Sequence, residues 1–289
     1  MKELLVLVSG SEKDTLVAGA ALEIARPLSA HLRFLHIRQS LGEMALHMPH
    51  YGFAMGSAVA PAMEELKQRQ DARAASARLH VETMCRDAVR SGEGEFRWAS
   101  GLSANFEEGT GDRVVELVVR LARESDATVI GRHTDPDGMP EDLLEQILFE
   151  AGRPLIIAPD MAPSHSVQTI AIFWKDSPEV ARAVTAAMPL LALATQVFVL
   201  SLPEEDGSSV DGLMALMKGL IDAGIKAEVK TLEAKGRAVS DALLSAAKEF
   251  CAELIVAGGY GHGRTREMIF GGCTRRFIES GDTPMFLVH

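Results

Sequence analysis

Apolar positions along the chain fall into two recurring patterns. Short runs rich in Val, Ile and Leu alternate with longer segments in which apolar residues return at helical period. That alternation predicts parallel strands joined by crossover helices, an α/β chain. In the first half the predicted strands are Leu4–Ser9, Leu32–Arg38, Glu95–Ser100, Ala127–Gly131 and Leu155–Ala158. In the second half they are Thr169–Trp174, Gln196–Leu202, Ala227–Leu232, Glu253–Ala257 and Met285–Val288. The longest apolar stretch, Ala186 to Leu202, is broken by Pro189, Thr195 and Gln196. It reads as a helix end, a turn and a strand, and no membrane span is predicted.

The two halves share landmarks in the same order. Ser125–Gly131 and Ala252–Gly258 each place an acidic residue before a buried strand that ends in Gly. Glu108-x-x-Gly111 precedes the first of these and Glu233-x-x-Gly236 the second; Glu150-x-Gly152 follows the first and Glu279-x-Gly281 the second. Both halves close with Pro and an apolar strand, at Pro154 and Pro284. This is the signature of a duplication, with the boundary in the Pro-rich segment Pro159–His165. The expected domains are residues 1–160 and 166–289. The closing strand of each half would be an exposed edge unless the two pair with each other.

Composition narrows the classes. At 289 residues the chain can bury two cores, and 47% apolar with 24% charged residues is an ordinary globular balance. The net charge of −11 works against nonspecific binding to nucleic acid or anionic membrane, and 5% aromatic residues argue against a base-stacking surface. Cys85, Cys251 and Cys273 form neither a disulfide framework nor a zinc pattern, and the apolar run Leu4 to Val8 is too short for a signal peptide. A cytoplasmic location is expected. His47 and His50 lie three apart in the segment from Gln39 to Ala60, which also carries Met44, Met48, Met55, Tyr51 and Phe53. Pro49 stands between the two and no carboxylate or Cys completes a ligand set, so no metal is required. The segment reads as a loop packed on the body, with a lid or partner surface as the alternative.

The richest local chemistry is Ala257 to Gly281, directly after the fourth strand of the second half. Gly258-x-x-Gly261 allows close approach of backbone to a ligand, and Gly271-Gly272 leaves amides uncovered at a helix start, where phosphate is favoured. His262, Arg264, Arg266, Arg275 and Arg276 concentrate positive charge there in an otherwise acidic chain.

On these residues the sequence resembles the universal stress proteins, over nearly its whole length and as two copies in tandem. The family's nucleotide signature is Gly-x2-Gly-x9-Gly-(Ser/Thr), and Gly258, Gly261 and Gly271 stand at that spacing, with Gly272 in place of the hydroxyl residue. The resemblance implies two doubly wound domains of the Rossmann-like, adenine nucleotide alpha hydrolase-like kind, each a five-stranded parallel sheet flanked by helices. It implies ATP or AMP at the strands' carboxyl ends. The residues it assigns to the nucleotide are Lys175, Ala257, Gly258, Gly261, His262, Gly263, Gly271, Gly272, Cys273 and Thr274. Lys175 stands where nucleotide-binding members carry Asp, and it could reach a phosphate or yield the role to Asp176. The implied function is a stress-response binding module, with a nucleotide-free interaction scaffold, homo-oligomeric or partnered by another protein, as the alternative.

The first half departs further. Ser9 occupies the Asp position, and two fewer residues separate Gly131 from Gly152 than Gly258 from Gly281. Asp135, Asp137, Glu141 and Asp142 would repel phosphate, and Pro140 removes an amide donor, so this half reads as a copy without nucleotide. No nucleophile with a positioned base and no metalloprotease or P-loop motif is present. An enzyme is not expected beyond a weak ATPase assisted by His262. Cys273 reads as a buried, inert thiol, and Trp98 and Trp174, at strand ends, as core or ligand-wall residues.

Overall fold

The computed structural model describes residues 1–39, 59–91, 95–111, 113–132, 142–161, 167–203, 209–233, 236–259, 272–279 and 282–289. The first half runs β1 (Glu3–Val8), α1 (Asp14–Ala25), β2 (His31–Gln39), α2 (Val59–Met84), β3 (Val89–Ser91), β4 (Glu95–Arg97), β5 (Ser103–Gly111), α3 (Val114–Glu124), β6 (Ala127–Ile130), α4 (Leu143–Glu150) and β7 (Leu155–Ile157). The second runs β8 (Thr169–Phe173), α5 (Pro178–Leu191), β9 (Gln196–Ser201), α6 (Ser209–Asp222), β10 (Ala227–Thr231), α7 (Val239–Glu249), β11 (Leu254–Gly258), α8 (Gly272–Glu279) and β12 (Met285–Val288).

All strands join one 12-stranded sheet in the order β10-β9-β8-β11-β12-β7-β6-β1-β2-β5-β4-β3. Within each half five parallel strands take the order 3-2-1-4-5, and the halves meet where β12 pairs antiparallel with β7, Phe286 opposite Ile156. The two edges that each half would leave open are thereby used up on one another. The central strands are apolar throughout, as strands covered on both faces must be: Leu4 to Val8 and Leu254 to Ala257 are all buried. One apolar layer, under α1, α2, α5 and α6, contains residues of both halves, and so does the layer on the other face under α3, α4, α7 and α8.

The same device starts each half. The Asp126 carboxylate accepts hydrogen bonds from the Lys2 and Glu3 amides, and the Glu253 carboxylate accepts them from Gln168 and Thr169, at 2.6 and 2.9 Å. These are the acidic residues ahead of the fourth strand, and each fixes the entry of the first strand beside it. Local chemistry also sets α5, where Ser177 accepts from the Val180 amide and Pro178 opens the first turn.

One predicted strand requires correction. Glu95–Ser100 is not the third parallel strand: only Glu95–Arg97 is extended, and it pairs antiparallel with both β3 and β5. The third strand is β5, Ser103–Gly111, parallel to β2 along nine residue pairs. Among the described residues the first half thus carries seven strands instead of five. The segment from Gln39 to Ala60, with His47 and His50, lies almost wholly outside the described residues.

Candidate functional site

In each half the helix after the first strand lies on one face of the sheet and the helix after the fourth strand on the other. The carboxyl ends of these two neighbouring strands therefore border a crevice at the point where the winding reverses, the place where doubly wound sheets receive ligands. The two crevices can be compared residue by residue. Val6 pairs with Val129 as Ile172 pairs with Val256. Counting three on puts Ser9 and Lys175 at equivalent positions; beyond them the loops differ in length, since α1 starts at Asp14, six residues after Val8, and α5 at Pro178, five after Phe173.

In the first half the crevice is closed by the chain itself. Asp14, only 2% exposed, accepts from the Ser9 amide at 2.9 Å, the Gly10 amide at 2.7 Å and the Ser9 hydroxyl at 3.1 Å. The amides that an anion would use are held by an internal carboxylate. Arg73, on α2, donates through Nε to the Ser9 carbonyl at 3.0 Å. The α2 backbone lies on the turn so closely that a Cβ on Gly10, whose φ is +86°, would overlap the Arg73 carbonyl. Beneath it, His36 Nδ1 lies 3.0 Å from the Val8 carbonyl oxygen, to which it donates as the Nδ1–H tautomer. Burial holds the His36 imidazole below its usual value, against the raising effects of that hydrogen bond and of Asp14 and Glu108, with Arg38 lowering it further.

In the second crevice the carboxylate at the helix start is Glu179, whose side chain is 15% exposed and which bonds its own amide and Ser177. Gly258 ends β11 and Trp174 follows β8, each two residues beyond the paired Val256 and Ile172. Lys175 follows, exposed, and Ala257 is 2% exposed with its side chain in the core, so only its backbone can serve a ligand. Gly258 has a packing reason of its own: a Cβ there would come within 2.8 Å of the Val180 amide nitrogen and of Glu179 Cβ. Gly272 opens α8 with nothing within 4 Å of where its Cβ would be. Gly261, His262, Gly263, Gly271, Arg264 and Arg266 lie outside the described residues.

Several sequence expectations change here. Thr274 is buried, 5% exposed. Arg275 is paired with Glu279 at 2.7 Å and Arg276 with Asp241 at 2.8 Å, so part of the predicted positive cluster is spent on helix-surface ion pairs. Cys273 is exposed, contrary to the expected buried thiol; the buried one is Cys85, whose pKa burial pushes up to about 12. The Asp176 carboxylate rests against Gly212 in the first turn of α6, where the helix dipole favours it. Trp174 packs against the core beneath α5 and α6. Among the described residues no group of His, Cys, Asp or Glu could hold a metal, and no helix is long and apolar enough to cross a membrane.

One residue that pattern reading missed ties the halves together at this site. Arg132, directly after Gly131 in the first half and 7% exposed, donates to the Phe277 and Ile278 carbonyls at 3.0 and 2.8 Å and to the Thr283 carbonyl. It caps the carboxyl end of α8, the helix whose amino end is the candidate phosphate site. Burial lowers the guanidinium pKa to about 10, offset by Asp160 and Asp282. Two clefts of about 500 and 510 Å³ lie elsewhere, one between Arg153–Pro154 and α5, the other between α7 and α8.

A doubly wound α/β protein with two like crevices, one closed by its own carboxylate, is the class these features define. No protein-family model matches the sequence, and no curated protein matches it. Solved structures do. The chain is similar to a universal stress protein from Archaeoglobus fulgidus DSM 4304, at 17% identity and a TM-score of 0.63, with 99% of this chain and 95% of that one covered. It is also similar to a functionally unknown protein from Pseudomonas aeruginosa PAO1, at 12% identity and TM-score 0.58 over 100% and 92% of the two chains. A third likeness, at 13% identity and TM-score 0.58 over 100% and 93%, is to a Pseudomonas aeruginosa UCBPP-PA14 protein provisionally assigned to the universal stress proteins. The chain has the fold of these proteins over its full length.

Proposed function

We propose that the chain is a tandem universal stress protein, with domains at residues 1–160 and 166–289, whose second domain binds an adenine nucleotide, ATP or AMP, and whose first domain does not. The contrast between the crevices carries this reading. One has its turn amides held by Asp14 and covered by α2, and in the other Gly258 ends β11 beside a turn whose carboxylate, Glu179, bonds only its own amide and Ser177 among its hydrogen-bond partners, leaving the glycine signature as the ligand candidate. Phosphates would be held by the amides around Gly258, Gly261, Gly263, Gly271, Gly272 and Cys273, with charge supplied by Lys175 and His262. The sequence of the set offers no nucleophile with a paired base, so the function is binding: occupancy biases a surface read by a partner. A cytoplasmic location fits a chain with no pattern of paired cysteines.

Of the chain's two tryptophans, Trp174 adjoins Lys175, so a Trp98→Phe variant reports on this crevice alone. AMP or ATP should then produce a saturable change in Trp174 fluorescence. No change, together with no nucleotide retained in equilibrium dialysis, would overturn the reading. The competing reading, a nucleotide-free scaffold, is favoured by the ion pairs of Arg275 and Arg276. Phosphate release by wild type at a rate that His262→Ala abolishes would instead indicate an ATPase.

A further inference from the structure

The 12-stranded sheet ends differently at its two edges. In the first half the third parallel strand, β5, is covered by β4 and β3, and the outermost strand is only three residues long. Its counterpart in the second half, β10, is itself an edge strand of five residues with no further strand beyond it among the described residues. Val197 N donates to the Lys226 carbonyl and Leu232 N to the Ser201 carbonyl. By alternation, residues 226, 228, 230 and 232 direct their backbone groups to β9, and Ala227, Val229 and Thr231 direct theirs outward.

The side chains of this strand are self-complementary. We infer that β10 is the docking edge for a second copy of this chain, the two strands pairing antiparallel about Val229. In that register Val229 faces Val229 of the partner subunit and Ala227 faces the partner's Thr231 as hydrogen-bonded pairs, which use the outward amides and carbonyls. Glu228 then faces the partner's Lys230 as a non-hydrogen-bonded pair, the type in which side chains approach most closely. A Lys on an edge ordinarily blocks pairing. Here the same strand carries the matching Glu two residues away: Lys230 already pairs with Glu228 of its own strand and lies over the Phe198 and Phe250 rings, at 5.9 and 5.3 Å. A two-fold partner would complete a ring of four alternating charges. The register admits only an antiparallel copy of this sequence, because a parallel in-register copy would set Glu228 beside Glu228.

The helix above this edge supports the same partner. On α6, Val210, Met214 and Ile221 are 58%, 67% and 61% exposed and share one stripe. At about 100° per residue that stripe lies roughly a quarter turn from Leu213, Leu216 and Leu220, which face the sheet. It forms a flank of the helix, and antiparallel pairing of β10 brings two such helices to one face of the joined sheet.

Sedimentation velocity on the full chain tests this. Wild type should form a concentration-dependent dimer. Glu228→Lys and Lys230→Glu should each sediment as a monomer, because each sets like charges opposite one another. Mixed in equal amounts, the two variants should dimerise again, since one strand then carries two Lys and the other two Glu. Circular dichroism checks that each variant is folded, and in wild type the amide exchange of Val229 should slow as concentration rises. A wild type that stays monomeric at millimolar concentration, a dimer indifferent to both reversals, or a mixture that fails to reassociate although both variants are folded would overturn the proposal.

Discussion

At the scale of single residues, the structure separates side chains that build the fold from those that could serve a ligand. Gly258 is in the nucleotide signature, yet its missing Cβ is needed for α5 to pack on β11, so Gly258→Ala should cost about 1–3 kcal/mol of stability with no nucleotide present. Urea unfolding checks this, and an unchanged midpoint would leave only a ligand role for Gly258. Arg132→Met should destabilise by about 2–3 kcal/mol, since it leaves buried carbonyls at the end of α8 without their donor. His36 supplies a pH dependence. Its folded-state pKa lies below the unfolded value, so the unfolded chain binds the extra proton, and stability that is full above pH of about 6.5 declines as pH falls through that value. His36→Gln should flatten this part of the urea-midpoint profile, and an unaltered profile would contradict the assignment. Neither Arg132 nor Asp14 was legible from pattern. Each works through a partner distant in sequence or through the geometry of a turn, although Asp14 at the start of α1 carried the local hint of a carboxylate facing free amides.

At the scale of elements, hydrophobic pattern located nine of the sheet's strands to within a few residues because fully covered parallel strands are continuous apolar runs. It failed at β5. Ser103–Gly111 reads SANFEEGTG, with Asn105, Glu107 and Glu108 along it, and it is extended because its backbone pairs with β2 and its charges pair across the strands. Arg33 bonds Glu107 at 2.9 Å, and Glu108 bonds Arg38 and Arg78 at 3.0 and 2.9 Å. Such support is invisible to a scan for apolar runs, and the more apolar Glu95–Ser100 was drawn into the vacant place. The pairing of the closing strands was readable, because two unpaired apolar edges in one chain have an obvious remedy in each other. Phe286, fully buried on β12 opposite Ile156, makes that junction a shared element. Phe286→Ala should cost about 3–5 kcal/mol and lower the unfolding midpoints of both halves together. Loss confined to residues of the second half, followed by hydrogen exchange, would show that the junction does not couple them.

For the whole molecule, one strand order used twice has produced two crevices with different fates. In the first, Asp14 and Arg73 of α2 bond the turn after β1, and Arg132 extends this half into support for the second. In the second, the crevice keeps Lys175, the end of β11 and the exposed start of α8. The glycine spacing is the sequence ground for proposing this asymmetry, whereas the contact of α2 with the turn after β1 joins residues 64 apart along the chain, beyond the reach of pattern. The account rests on a single live site per chain. Calorimetric titration of ATP and AMP into nucleotide-stripped protein, repeated with Gly261→Asp, tests it most directly. The account predicts one site per chain, abolished by a carboxylate placed in the phosphate cradle. Two sites per chain, binding that survives Gly261→Asp, or no binding at millimolar nucleotide would contradict it.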